Sequence, residues 1–511
     1  MAETGGSETK LRGRLPEILL LVILLLGITL QYAAAYQKSF WGDEAKTALR
    51  VRNGFETIEE ETPADHQPLY IYMMTLWGKV FGYSEMGLRS LAILFATLTL
   101  VLTYTLGKDV YGEKTALISL AILSFSPLFL LHGHSARYYS IMTALAVLIA
   151  LSLHRFQEMK KPWYLLVYAF AGTVMLYLVF NSVIFLAGCS AWWLWRFWRD
   201  RKRQVIDFVY WVLAQILILA LYLPGTGRFS TFTENYFQIP QLTSWLMDYL
   251  KRLAFTSYLF GMGGTLSPLK PLAWIGIEVV VIIAVFALYA AWKRKLSWMP
   301  VFFTVWISVL AVLASFFSEW HNQIWQNISH WFLYVLPFLA LWLGIGLAQM
   351  KFRIMAFMGS LLLVVYAVGI YNYFTDQQFI QPVLAAPWRN VYDGIKAESK
   401  PGAMVICTGV DTSCWYYAEQ YGYPVSLPWE LERKNGVQPV EVWWVHSNVG
   451  GIRYDHEGVD QEFLKLAEKQ YENREVRNYI LHEPSIRWLK TRLMGHSDYE
   501  YLVEVFHFSS P

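Results

Sequence analysis

Residues 15–50 read LPEILLLVILLLGITLQYAAAYQKSFWGDEAKTALR. The apolar run from Leu15 to Ala35 matches the roughly twenty residues that a helix needs to cross a bilayer core. It is too long for the core of a signal peptide, and no convincing small-residue cleavage site follows it. It reads as a retained first membrane helix, preceded by Lys10, Arg12 and Arg14. Phe40 and Trp41 follow, and then two adjacent carboxylates, Asp43 and Glu44.

Working outward, the rest of the chain has the same character. It is 55% hydrophobic and 17% aromatic, with 16% charged residues, against roughly 25% charged in soluble domains. Repeated apolar runs of membrane length make it a polytopic α-helical membrane protein. The expected spans, about eleven of them, are 15–36, 86–106, 114–132, 138–155, 163–180, 182–198, 205–223, 272–292, 298–317, 331–349 and 354–374. A net charge of +3 is too small to argue for a nucleic-acid partner. No repeat or low-complexity tract is present.

Lys and Arg collect in alternate junctions: Arg14; Lys108 and Lys114; Lys160 and Lys161; Arg199, Arg201, Lys202 and Arg203; Lys293, Arg294 and Lys295; Lys351 and Arg353. By the positive-inside rule these loops face the cytoplasm. The expected location is the plasma (inner) membrane, with the N-terminus cytoplasmic and the C-terminus outside. The expected division is a membrane domain over 1–376, with outer loops 37–85 and 224–271, and an extracytoplasmic α/β domain over 377–511. In the first outer loop, Phe40–Phe55 has helical spacing, and Pro68–Phe81 is apolar but too short to span. Both read as interfacial or re-entrant helices, with a break at Thr62–Pro68.

The C-terminal region shows strand-like runs at Ala403–Thr408, Val440–Val445 and Tyr501–Phe508, with a helical stretch at Glu462–Glu472. It has no glycine-rich phosphate loop and receives no chemistry. An oxidising compartment permits a Cys407–Cys414 disulfide; two free thiols are the alternative. Cys189 lies within a helix.

Four short stretches carry ionisable groups on the outer face. The first is Asp43–Glu44, which also reads as an acidic first helical turn. The second is Asp65-His66-Gln67-Pro68-Leu69, otherwise a turn. The third is the hairpin His132-Gly133-His134-Ser135-Ala136-Arg137-Tyr138-Tyr139, where an Arg could instead snorkel to lipid phosphates and the paired histidines are a weak metal signal. The fourth runs from His321 to His330. Together they put Asp, Glu, His and Arg at headgroup depth. An enzyme acting on a lipid-linked phosphate needs that set there: a carboxylate to take a proton from a hydroxyl, and cations to meet the charge of a leaving phosphate.

Four blocks then resemble a known family: WGDEA at 41–45, DHQPLYIYMMTLWGKVFGYSEMGLRSLAILF at 65–95, LGKDVYGEKTALISLAILSFSPLFLLHGHSARYYSI at 106–141 and HWFLYVLPFLAL at 330–341. Their order and spacing are similar to those of the GT-C superfamily of polyprenyl-phosphate-sugar glycosyltransferases. The nearest branch is that of protein O-mannosyltransferases and lipid A aminoarabinose transferases. The likeness is good over the first 160 residues or so, loose over the later helices and slight in the outer region. It implies catalytic Asp43, the general base, with Glu44 beside it. It implies donor-phosphate contacts from Arg137, His66 and His330, and leaves Asp65, His134 and Tyr138 as further outer-face candidates. Gln67-Pro68 replaces the family's Pro-Pro. His330 stands where many members have Arg, which makes its charge pH-dependent.

The resemblance further implies a polyprenyl-phosphate-linked sugar as donor, a lipid, glycan or protein hydroxyl as acceptor, and inversion at the anomeric carbon. Surrounding membrane lipids are the remaining partners. No cofactor is certain, and a divalent cation is a candidate. Competing classes are a transporter or flippase, which would favour charges at the bilayer midplane and broken helix pairs, and a non-catalytic envelope assembly protein.

Overall fold

Helix α1 (Gly5–Gln37) carries the first apolar run and delivers the chain to α2 (Gly42–Arg52), an eleven-residue helix. The computed structural model describes residues 5–62, 67–199, 205–236, 245–317, 328–377, 382–407, 412–426, 441–447, 457–480 and 502–509. After α2 come α3 (Leu69–Phe81), α4 (Glu85–Tyr111), α5 (Glu113–Ser124), α6 (Pro127–Gly133), α7 (Tyr139–Met159), α8 (Trp163–Leu178), α9 (Val183–Arg199) and α10 (Val205–Tyr222). The series continues with α11 (Thr226–Tyr236), α12 (Trp245–Met262), α13 (Pro271–Arg294), α14 (Met299–Ala314), α15 (Leu336–Gln349) and α16 (Phe352–Phe374).

Each expected span falls on one of these helices or, in one case, on a pair. Among the described residues six helical stretches are long and apolar enough to cross a membrane: Arg14–Gln37, α4, α7, Val205–Thr231, α13 and α16. The apolar helices α8 and α14 and the stretch Leu333–Gln349 are shorter. The chain is a multi-pass membrane protein. The expected single helix over 114–132 is corrected to two, α5 and α6, bent by 63°. Pro127 has no N–H with which to continue the ladder. Ser126 then caps the new helix, its hydroxyl accepting from the Phe129 N–H at 3.4 Å.

Burial separates the inside of the bundle from the lipid-facing ring. In α7, 78% of the apolar window is buried, against 22% in Arg14–Gln37. Helix α15 also lies inside, where Gly344 and Gly346 allow close approach: a Cβ at either would overlap Ser119 of α5 or Ile283 of α13. The basic junctions gather at the end of the bundle away from α2. There Lys114 donates to the Ala348 carbonyl at 2.8 Å, Tyr111 donates to the Ser297 carbonyl at 2.9 Å, and Lys160 meets Asp207 at 2.6 Å.

Beyond α16 the chain forms α17 (Trp388–Glu398), β1 (Met404–Cys407), α18 (Thr412–Gln420), β2 (Val425–Ser426), β3 (Glu441–Ser447), α19 (Glu457–Gln470), β4 (Asn473–Ile480) and β5 (Leu502–Ser509). The strands make one sheet in the order β2-β1-β3-β5-β4, parallel on the β1 side and antiparallel between β3, β5 and β4. Trp443 on one face of β3 joins the apolar cluster that continues into the membrane bundle, while Trp444 on the other face packs with Phe463 of α19, Phe506 and Phe508. The sequence reading located β1, β3, β5 and α19. It passed over β4, whose NREVRNYI is a mostly exposed edge with little apolar alternation to betray it.

Candidate active site

Helix α2 begins at Gly42 after an extended Trp41, and Asp43 and Glu44 complement its N-terminal dipole in the first turn. Its helical period turns Glu44, Ala45, Thr47, Ala48 and Val51 inward and leaves Asp43 and Lys46 toward solvent. The two adjacent carboxylates therefore have different environments.

Glu44 is 1% exposed. Its carboxylate accepts from Arg89 Nε at 2.9 Å, Arg89 Nη2 at 2.5 Å and the Ala136 N–H at 2.6 Å. Arg89 also donates to the carbonyls of Ala35, Lys38 and Ser39 at 2.9, 2.5 and 3.0 Å. One buried guanidinium thus closes the end of α1, the connecting segment and the inner face of α2. Glu44 was expected beside Asp43 at the reacting centre. It is instead saturated with donors and turned into the protein, which suits holding rather than proton transfer. Arg89 received no role from the sequence. The signal was available, since it is a charge just inside an apolar membrane helix, one turn after Glu85, a position that demands partners.

Asp43 is 45% exposed, and Arg137 Nη2 lies 3.4 Å from its Oδ2. Arg137 Nη1 donates to Thr47 Oγ1 at 3.2 Å, and Thr47 in turn donates to the Asp43 carbonyl at 2.9 Å. The hairpin that carries Arg137 is anchored by Trp41, whose indole N–H donates to Ser135 Oγ at 3.3 Å. Burial works against the Arg137 charge, but Asp43 and nearby phenols hold its pKa above the usual arginine value. The Arg137 guanidinium lies 5.5 Å from the Tyr138 ring. Burial pushes the Tyr138 phenol up to about 12, against the opposing pull of Arg137.

The other expected residues fall in several places. Asp65, His66 and His321 lie outside the described residues; Gln67, the next described residue after His66, donates to the Tyr222 hydroxyl at 3.0 Å. His134 is buried, with Nδ1–H donating to the Leu130 carbonyl at 2.8 Å and Nε2 accepting from the Tyr373 hydroxyl at 3.1 Å. Both ring nitrogens are occupied, and burial, with the nearby Arg89 charge, holds the imidazole well below its usual pKa; the expected outer-face candidate His134 thus ties the hairpin to Tyr373. His330 is also buried; its ring stands 5.1 Å from His132 and 5.0 Å from Tyr139. Among the described residues no three His, Cys, Asp or Glu side chains converge as a metal site, so no ligand set is assigned to a divalent cation. Cys407 and Cys414 are joined in a disulfide, and Cys189 is a buried free thiol.

With this geometry in hand, similarity to known proteins becomes informative. Residues 65–225 match the family of dolichyl-phosphate-mannose-protein mannosyltransferases. The whole fold superposes on apo ArnT from Cupriavidus metallidurans with a TM-score of 0.57, covering 95% of this chain and 97% of that one at 12% identity. The chain has the GT-C fold. The chain also superposes on the apo oligosaccharyltransferase of Archaeoglobus fulgidus, with a TM-score of 0.50 over 82% of this chain and 65% of that one at 11% identity. A sequence relative, an uncharacterised protein of Aquifex aeolicus (strain VF5), is 34% identical over 145 residues, which is 28% of each chain.

Proposed function

We propose that this protein is a membrane glycosyltransferase that moves a sugar from a polyprenyl-phosphate donor to an acceptor hydroxyl, with Asp43 as general base. The observation that carries the reading is the Asp43–Arg137 pair: a half-exposed carboxylate 3.4 Å from a guanidinium, six residues beyond the end of a membrane span. Dolichyl-phosphate-mannose-dependent chemistry in the matching family and the GT-C fold support the same class.

In the reaction, the acceptor O–H gives its proton to Asp43 while its oxygen attacks the anomeric carbon. The bond from that carbon to the phosphate oxygen breaks, and polyprenyl phosphate leaves. A single displacement inverts the anomeric centre. Arg137 serves the leaving phosphate: it is held by Asp43 and Thr47, and its Nε–H is buried without a hydrogen-bond partner among the described residues. A guanidinium keeps its charge and can grip phosphate through two parallel donors. The site lies at the end of the bundle opposite the basic junctions, and by the positive-inside rule that end faces away from the cytoplasm.

The test is transfer of labelled sugar from synthetic polyprenyl-phosphate donor by purified protein, wild type against Asp43→Asn. A folded Asp43→Asn protein that turns over at the wild-type rate rules out the base. Movement of donor across vesicles without transfer would favour a transporter instead.

A further inference from the structure

The segment 36–42, which leads into Asp43, is gripped from two sides. From within the bundle, Arg89 takes the carbonyls of Ala35, Lys38 and Ser39. From the C-terminal region, a second set of contacts meets it. The Tyr417 hydroxyl accepts from the Phe40 N–H at 2.6 Å and donates to Glu85 Oε1 at 2.6 Å. Thr412 Oγ1 donates to the Gly42 carbonyl at 2.6 Å. Arg389 donates its backbone N–H to Ser39 Oγ at 3.1 Å and its Nη2–H to the Tyr36 carbonyl at 2.7 Å.

We propose that α18 is a built-in clamp on the base: Tyr417, seconded by Thr412, is a positioning residue that sets where the Asp43 carboxylate stands. This rests on the reading of Asp43 as general base.

Three features carry it. First, the contacts are buried rather than surface: Phe40 is 0%, Tyr416 1% and Tyr417 2% exposed, with the Phe40 and Tyr416 rings 5.3 Å apart. Second, Thr412 holds the carbonyl of the residue immediately before Asp43, so it fixes the peptide plane from which α2 starts. Third, α18 is itself anchored. Cys414 is disulfide-bonded to Cys407, the last residue of β1, and the Tyr392 hydroxyl donates to the Cys414 carbonyl at 2.7 Å. A strand of the sheet is thereby linked, through one short helix, to the backbone that aims the base. The Arg52 guanidinium over the Tyr416 ring, at 4.8 Å, ties the far end of α2 to the same helix.

A misplacement of about 1 Å at a reacting group costs up to about 10²-fold in rate. Tyr417→Phe keeps the ring and removes both hydrogen bonds. In full-length protein it should lower kcat about tenfold while leaving the KM for donor near wild type. In an Asp43→Asn background the same change should cost nothing further, since no base is left to aim. A folded Tyr417→Phe protein with wild-type kcat, or an equal tenfold loss in the Asp43→Asn background, overturns the proposal. If Asp43→Asn alone retains the wild-type rate, it is the base assignment that falls. Hydrogen exchange then still decides the clamp: Tyr417→Phe should speed exchange over 36–48 and leave α4 unchanged, and unaltered exchange there overturns it. Thr412→Val, read in the same two ways, stands in if Tyr417→Phe does not fold.

Discussion

The two faces of α2 hold neighbouring carboxylates under opposite conditions. Glu44 faces inward at 1% exposure and accepts three hydrogen bonds, two of them from Arg89. Asp43 faces outward at 45% exposure and meets Arg137 at 3.4 Å. Burying a carboxylate is costly unless donors surround it, and Arg89 and the Ala136 N–H supply them to Glu44. Asp43, half exposed, keeps contact with solvent and has a single ion-pair partner among the described residues. Adjacent residues of one chemical type are therefore placed in opposite environments, because consecutive side chains point about 100° apart around a helix.

Removing the open carboxylate gives the largest expected change in function. Asp43→Asn should lower turnover about 10²- to 10⁴-fold with a change in melting temperature smaller than that of Arg89→Met, because the pair is partly exposed, Arg137 at 20% and Asp43 at 45%. A marked loss of stability with activity retained would reverse the roles assigned to the two faces.

The inward face should respond in the opposite sense. Arg89→Met leaves Glu44 buried without its partner, and breaking a buried pair costs about 3–5 kcal/mol. Thermal unfolding in detergent should show that loss, and pairing Arg89→Met with Glu44→Gln should recover part of it. If the double variant is no better than Arg89→Met alone, the pair is not what holds α2.

A smaller effect sharpens the contrast from the C-terminal side. Cys407→Ser with Cys414→Ser opens a short loop, and a disulfide of that size contributes about 2–4 kcal/mol. The loss should appear as faster hydrogen exchange in α18 and β1, with the membrane helices unchanged. Uniform destabilisation of the whole chain would mean that the sheet and the bundle unfold as one unit.

The smallest expected change is at Arg137. Arg137→Lys keeps the charge and loses the planar fork, which should weaken donor binding by about 1–2 kcal/mol, or about tenfold. Donor affinity and melting temperature measured side by side separate the two possibilities. A drop in stability with donor affinity intact would make Arg137 a brace for Asp43 and nothing more.

Some of this was legible in the sequence, for reasons that are local. A membrane span needs an apolar run and a basic junction, and both are written in consecutive residues; α1, α4 and α13 could be located from their own composition. Helix α2 was legible because SFWGDEAKTALR has helical spacing, and the place of Asp43 just beyond a membrane span followed from the apolar run that precedes it. β3 announced itself through EVWWV. The break at Pro127 was visible in principle but was read through, because the apolar run continues on both sides of it.

The sequence by itself thus determined the class of molecule, the approximate placing of its helices and the cluster of ionisable residues at one end. Tertiary structure alone decided which of Asp43 and Glu44 is buried, since that depends on where Arg89 arrives from 45 residues away. It also decided that His134 is spent on Leu130 and Tyr373, and that Tyr417 reaches Phe40 across 377 residues. Hydropathy is a property of neighbours along the chain, whereas a hydrogen bond requires two groups within about 3 Å, and for groups this far apart that distance exists only after the bundle and the sheet have packed together.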